Sequence, residues 1–368
     1  MSSVITIGLV EFRIQYNSNE SDQNKEPNIW IEEMMRKFKC KMRNTRCRRT
    51  EKAFSMNFKF INALTVPELK VENVVPSDVK ISYDNHCILL VEYWYQNLYV
   101  FDLDTKQYKY YVSLEFPNPL YLCVEENYDG NYHDALIVSF ESQQQVYKYD
   151  LRELLGLSQH NRSINALWKS SECDQPKGMA VLYLNDFAMM NEAFVNRNII
   201  FICDFMQQGI HAVKSSSGQL LTTIKLHDIP LVKPLDICIL NGDVIFTNGT
   251  PTDCVHILRN CDPFYVTLDY QCVATVGRHG KKEGTFSEPC NIICEQSTGK
   301  LIVSDTWNDR VQIFQYSSHR NETTLQFWNC FGNRKEKTFR NPQGLCLNRL
   351  NGELLVCDSG NGCIHIYQ

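Results

Sequence analysis

Three histidines, His211, His256 and His365, fall at matching places in a pattern that recurs along this 368-residue chain, and sixteen cysteines accompany them. Imidazole and thiolate are the side chains that bind zinc, so a metal centre is the first chemistry to weigh. Across all copies of the pattern the column reads Tyr99, Tyr147, His211, His256, Gln312 and His365. If these residues lie on the third strand of successive sheets, about 10 Å outside the innermost strand, they cannot converge within the ~2.1 Å of a Zn–N bond. Packing histidines are expected instead. The cysteines lack paired C-x2-C spacing: Cys290 and Cys294 are four apart, and Cys40 and Cys47 stand alone. Cys87, Cys123, Cys203, Cys238, Cys294, Cys346 and Cys357 sit in apolar runs, where buried free thiols are the expectation. No metal and no cofactor are expected.

Catalytic constellations are equally hard to assemble. The sequence shows no Ser–His–Asp arrangement, no P-loop and no G-x-G-x-x-G. In the segments that read as innermost strands, Asp78 and Asp236 are the only carboxylates, and no histidine joins them. A non-catalytic protein is expected.

The elements that position these residues come from a repeat. The stretch from Phe286 to Phe314 and the stretch from Phe339 to Tyr367 are one unit written twice. Each has an aromatic, a Pro three residues later, a short apolar run, a Gly turn and two β-rich runs around an Asp-led loop (Asp305, Asp358). Followed backwards, Pro76, Pro119, Pro176, Pro234, Pro289 and Pro342 open six units, and a fourth β-rich run follows in five of them. The sixth ends at Gln368 with three runs, and the segment from Ser55 to Leu64 is expected to supply its fourth. Joining the chain ends in one sheet closes a ring and removes free edges. The expected fold is all-β: a six-bladed β-propeller of four-stranded antiparallel blades over residues 54–368, preceded by an extension over residues 1–53. The residue ending each second run forms the column Glu92, Phe140, Asp204, Gly249, Asp305, Asp358, read as a loop cap.

The last two units resemble NHL repeats. The residues that carry the likeness are Phe286 with Pro289, Gly299, Val303-Ser304-Asp305, Asn308-Asp309-Arg310 and Val311 to Phe314; then Phe339 with Pro342 and Gly344, Gly352, Val356-Cys357-Asp358 and Ile364 to Tyr367. Blade 6 departs from the family by carrying Gly362-Cys363 where a basic pair is usual. The resemblance implies a binding module, as in the NHL domains of tripartite-motif proteins, with single-stranded RNA or substrate recruitment for ubiquitin transfer as alternatives to a protein or peptide. It also extends to amidating lyases with zinc and calcium on the propeller axis, a reading for which the inner runs lack histidines.

The ligand surface is expected where second-to-third loops and blade-to-blade connections share a face. Those loops carry Tyr93, Trp94, Tyr95, Phe205, Met206 and Trp307, large side chains that a turn does not require. The connections into blades 5 and 6 add Arg278, Lys281, Lys282, Arg334, Lys335, Lys337 and Arg340, with Arg310 between them. Aromatics beside cations suit an acidic peptide or single-stranded RNA. Net charge is −5, unlike the basic balance of nucleic-acid domains, and DNA is not expected.

In the extension, residues 4–16 alternate like a strand and residues 17–28 form a polar linker. Residues 29–52 read as a basic amphipathic helix, with nine Lys or Arg from Arg36 to Lys52. No apolar run is long enough for a membrane helix, and the opening residues lack the basic n-region and cleavage site of a signal peptide. A cytoplasmic protein with no membrane partner is expected.

Overall fold

A computed structural model describes residues 2–7, 10–15, 52–66, 75–156, 165–170, 173–184, 196–226, 229, 232–262, 265, 267–319, 322–332 and 339–368. Within the first 51 residues it shows a hairpin: Ser2–Ile7 pairs antiparallel with Val10–Gln15. The single strand expected over residues 4–16 is therefore two strands, because alternation continues through both and does not mark the break. The linker and residues 29–51 of the expected helix lie outside the described residues. No described helix is long and apolar enough to cross a membrane.

Six four-stranded antiparallel sheets follow. Their innermost strands are Pro76–Ser82, Pro119–Glu125, Pro176–Leu182, Pro234–Leu240, Pro289–Glu295 and Pro342–Asn348. Each innermost strand packs against the next around a closed ring, the sixth against the first. Every one begins with the proline of the repeat. Proline has no N–H to give a ladder, so the first residue of a strand suits it. It also keeps the preceding residue extended. The second strands are buried along their whole length in blades 1 to 4, as in Cys87–Glu92 and Ile199–Asp204, and in all but the first residue in blades 5 and 6. Neighbouring blades cover both of their faces, which is why they read as unbroken apolar runs rather than as alternation. The outermost strands are more exposed, as in Tyr108–Ser113 and Tyr270–Val276.

Blade 6 is closed as expected. Its outermost strand is Phe60–Leu64, paired antiparallel to Cys363–Tyr367 with Leu64 opposite Ile364 and Ala63 opposite His365. The strand is shorter than the expected Ser55 to Leu64. Met56 and Phe58 have left-handed backbones (φ 59° and 50°), which strands do not accommodate. That half forms a hook instead: Phe54 is buried, and Phe58 stacks on Phe331 of blade 5 at 4.5 Å between ring centres.

Candidate functional site

Hydrogen bonds join the loop face. In five blades the first N–H after the second strand donates to the carbonyl before the inner proline: Tyr93 to Val75, Glu141 to Asn118, Phe205 to Gln175, Gly249 to Lys233 and Thr306 to Glu288. In blade 6 Gly360 donates to Arg340. Second-to-third loops and blade-to-blade connections thus form one surface. The capping column sits beneath it. Glu92 accepts the N–H groups of Val75, Trp94 and Tyr95; Asp204 those of Asp174, Gln175 and Gln207; Asp305 that of Ser287; Asp358 that of Arg340. In blade 4 the register pairs Pro234 with Asn248, so Asn248 and not Gly249 holds the position, and it accepts the N–H of Lys233. Reading the column one residue late there hid a cap. Phe140 in blade 2 packs with Phe116 and Tyr147 instead.

Above the caps, the residue two positions on is Trp94, Ser142, Met206, Thr250, Trp307 and Gly360 in blades 1 to 6. Large apolar groups therefore stand on alternate blades, and they face solvent: Trp94 is 61% exposed, Met206 58% and Trp307 53%. Their loops are held from below, by Glu92 under Trp94 and by the Ser287 carbonyl on the N–H of Trp307. Tyr95 is exposed beside Trp94. Tyr93 and Phe205 are half-buried. The Tyr93 hydroxyl donates to Glu141 at 2.7 Å, and the Phe205 ring carries the ammonium groups of Lys177 at 5.8 Å and Lys233 at 5.2 Å. These two lysines flank Pro176 and Pro234 and escaped the sequence reading, which looked for charge runs.

The expected cation sector needs one correction. Arg310 is buried: its Nε meets Asp305 Oδ2 at 2.7 Å, and its remaining donors reach the carbonyls of Lys281, Lys282 and Thr285. It holds the loop into blade 5 in shape and does not face a ligand. Arg278, Lys281, Lys282 and Arg340 are exposed. Arg334, Lys335 and Lys337 lie outside the described residues.

The inner strands form a second cluster around the channel. Two residues after each inner proline stand Asp78, Tyr121, Gly178, Asp236, Asn291 and Gly344. The acids and the amide stitch each blade to the next: Asp78 accepts the N–H of Leu122, Asp236 that of Ile292 and Asn291 that of Leu345, at 2.9 to 3.0 Å. The glycines are imposed by that stitching. A Cβ on Gly178 would lie 1.8 Å from Asp236 Oδ1, and one on Gly344 would lie 2.5 Å from Asp78 Cα. Lys80 pairs with Asp78 at 2.6 Å, and the Tyr121 hydroxyl reaches across from blade 2 to the Cys290 carbonyl of blade 5 at 2.9 Å. Both carboxylates are thus engaged in holding blades together.

Burial pushes the Asp236 carboxyl up to about 8, with Asp78 adding to the rise and Lys80 opposing it. An acid whose folded pKa stands above its ordinary value contributes stability that is full in acid and is lost as pH rises through the folded pKa. From this group, stability therefore falls between about pH 4 and pH 8. Asp236→Asn keeps an oxygen for Ile292, as Asn291 does for Leu345, and is expected to flatten that part of the profile. Urea midpoints at pH 5 and pH 8.5 check this; equal losses in the two proteins would assign the slope elsewhere.

The histidine column stays within its own blades. His211 bonds Asp204 at 3.2 Å and Thr223 at 2.9 Å, His256 bonds Thr275 at 2.8 Å and Cys254 at 3.3 Å, and Gln312 bonds Asp305 at 3.0 Å.

The closed ring of six four-stranded blades defines the chain as a β-propeller, and the sequence profile of the NHL repeat matches residues 339–367, which is blade 6. No curated protein matches the chain in sequence. Solved structures match in fold. A chain of the Mitotic Checkpoint Complex is 11% identical, with 86% of this chain and 82% of that chain covered and a TM-score of 0.53. Streptogramin B lyase is 9% identical, with 83% and 96% covered and a TM-score of 0.51. The WD40 propeller domain of Doa1 is 10% identical, with 80% and 78% covered and a TM-score of 0.50. At these identities the likeness is one of fold.

Proposed function

We propose that the loop face is a non-catalytic recognition surface for a protein segment or peptide. The observation that carries this reading is the alternation of Trp94, Met206 and Trp307, exposed at one loop position of blades 1, 3 and 5. Exposed aromatics held on fixed loops are the side chains that dominate binding energy at protein interfaces. Tyr95 extends the apolar surface at blade 1. Arg278, Lys281, Lys282 and Arg340 favour an acidic segment, and Lys177 and Lys233 add charge around Phe205. Engagement of Asp78 and Asp236 in interblade hydrogen bonds supports binding over catalysis, although this fold hosts both, as the lyase of like fold illustrates.

Selection of a displayed random-peptide library on the purified chain tests the reading. Enriched peptides are expected to be acidic and aromatic or apolar, and Trp94→Ala or Trp307→Ala to weaken them by about 30-fold or more, the size of an interface hot spot. Peptides that bind both variants as they bind the parent would remove the loop face from consideration. A second reading, single-stranded RNA, is favoured by the exposed Arg278, Lys281 and Lys282 on the connection that hydrogen-bonds the Trp307 loop. It requires oligouridine binding that falls steeply with salt and is lost in Arg278→Glu with Lys282→Glu.

A further inference from the structure

Blades 5 and 6 carry the same buried carboxylate at the end of the second strand and surround it with different chemistry. In blade 5, Asp305 lies opposite Arg310, whose guanidinium neutralises it at 2.7 Å, and Gln312 donates to the same oxygen. In blade 6 the register is identical: Asp358 lies opposite Cys363, and His365 stands where Gln312 does. Residues two apart on a strand share a face. The thiol and the imidazole therefore project on the side of the sheet that holds the carboxylate. One donor atom from each of Asp358, Cys363 and His365 lies within 4.8 Å of the other two.

We propose that Asp358, Cys363 and His365 form a zinc site, with solvent at the fourth position. Thiolate, imidazole and carboxylate are the three protein ligand types of zinc, and small side-chain rotations bring donors at this spacing onto bonds of about 2.0 to 2.3 Å. The supports expected of such ligands are in place. Asn361 donates to the Asp358 carboxylate at 2.7 Å and the Arg340 N–H at 2.8 Å, fixing its orientation. The imidazole is steadied by Phe339 at 5.7 Å and Phe60 at 5.5 Å between ring centres. Cys363 and His365 are partly exposed, so an ion and a water can reach them. The cation takes over in blade 6 the neutralising role of Arg310 in blade 5.

The chain supplies its own controls. In blade 3, Cys173, Asp204 and His211 also come within 4.8 Å of one another, but the Asp204 carboxylate already accepts three backbone N–H groups and bonds His211. In blade 4, Cys254 and His256 pair at 3.3 Å, with Asn248 in place of the acid.

The test is titration of the chelator-treated full chain with cobalt(II), followed by displacement with zinc. One equivalent of cobalt is expected to give tetrahedral d–d bands and a thiolate charge-transfer band. Cys363→Ser removes that band, His365→Gln and Asp358→Asn weaken zinc by about 100-fold or more, and Asn361→Ala by about 10- to 100-fold. His211→Asn and Cys254→Ser leave binding unchanged. Cys363→Arg restores the blade 5 arrangement, so it folds while losing both the metal and the rise in melting temperature that zinc gives the parent. No thiolate band, a band that survives Cys363→Ser, or loss of the band in His211→Asn would each overturn the proposal.

Discussion

Deleting residues 52–64 is expected to abolish the cooperative unfolding transition of the propeller and to send the protein into aggregates. The segment does three things at once. Phe60–Leu64 covers the edge of Cys363–Tyr367, which would otherwise present a row of unpaired N–H and C=O groups to other chains. Leu64 is buried against Ile364, Leu90 and their neighbours between blades 6 and 1. Phe54 is buried among Ile302, Val311, Phe331 and Phe339, and its N–H donates to the Glu295 carboxylate of blade 5 at 2.6 Å. Full burial of each large apolar side chain stabilises by about 1.5 to 3 kcal/mol. Each hydrogen bond adds about 0.5 to 1.5 kcal/mol. Lost together, these terms rival the roughly 5 to 15 kcal/mol that holds a whole domain folded. A milder form of the test is Phe54→Ala, expected to cost about 3 to 5 kcal/mol through the cavity left at the seam of blades 5 and 6. Size-exclusion chromatography and urea unfolding decide the matter: a monomer with the parent's midpoint after deletion would show that the ring does not depend on its clasp.

The clasp was legible in the sequence because it is a matter of counting. Six prolines, each ahead of an apolar run, and five fourth runs leave one strand to be found, and all six inner strands begin at the expected residue. Proline gives this register its sharpness, since few places in a sheet tolerate it. What the sequence hid are contacts between blades. Asp236 and Ile292 are 56 residues apart and meet through a backbone N–H that has no sequence signature. Gly178 and Gly344 stand inside runs expected as inner strands, and nothing in those runs announces the neighbouring Asp that lies against each of them. Arg310 could have been placed: an Asp and an Arg on opposite ends of a short second-to-third loop face each other across the ladder, so the pair was predictable and its removal from the ligand surface with it. The alternation of Trp94, Met206 and Trp307 emerges only when the loops are aligned on the cap residue, which a list of large loop side chains does not do.

Buried charge was the least legible feature, and it sets the second large effect. Lys148→Met is expected to destabilise the protein by about 3 to 5 kcal/mol, the loss typical when one member of a buried ion pair is removed. Glu125 and Lys148 lie on alternating strands of blade 2, where their sequence reads as solvent-facing polarity, yet both are almost fully buried. The Lys148 ammonium meets Glu125 at 2.7 Å, the Ser215 carbonyl at 2.9 Å and the Ser215 hydroxyl at 2.8 Å, so all three of its protons are placed. Glu125 also accepts from the Ser215 hydroxyl and from the amides of Asn196 and Asn198. Trp168 closes the group by donating to the Ser215 carbonyl at 2.7 Å. Since Ser215, Asn196 and Asn198 belong to blade 3, the network ties two blades together opposite the loop face. Burial holds the Lys148 pKa down, so the pair stabilises only while both members are present. The double variant Glu125→Gln with Lys148→Met keeps an acceptor for Ser215 and leaves no buried charge. It is expected to recover most of the loss, giving a coupling energy of about 2 to 3 kcal/mol. Urea unfolding of the four proteins in this cycle measures the coupling. Simple additivity would mean that the ion pair contributes nothing beyond its separate members, and that the two blades are held instead by the apolar cluster around Tyr121, Trp168 and Ile200.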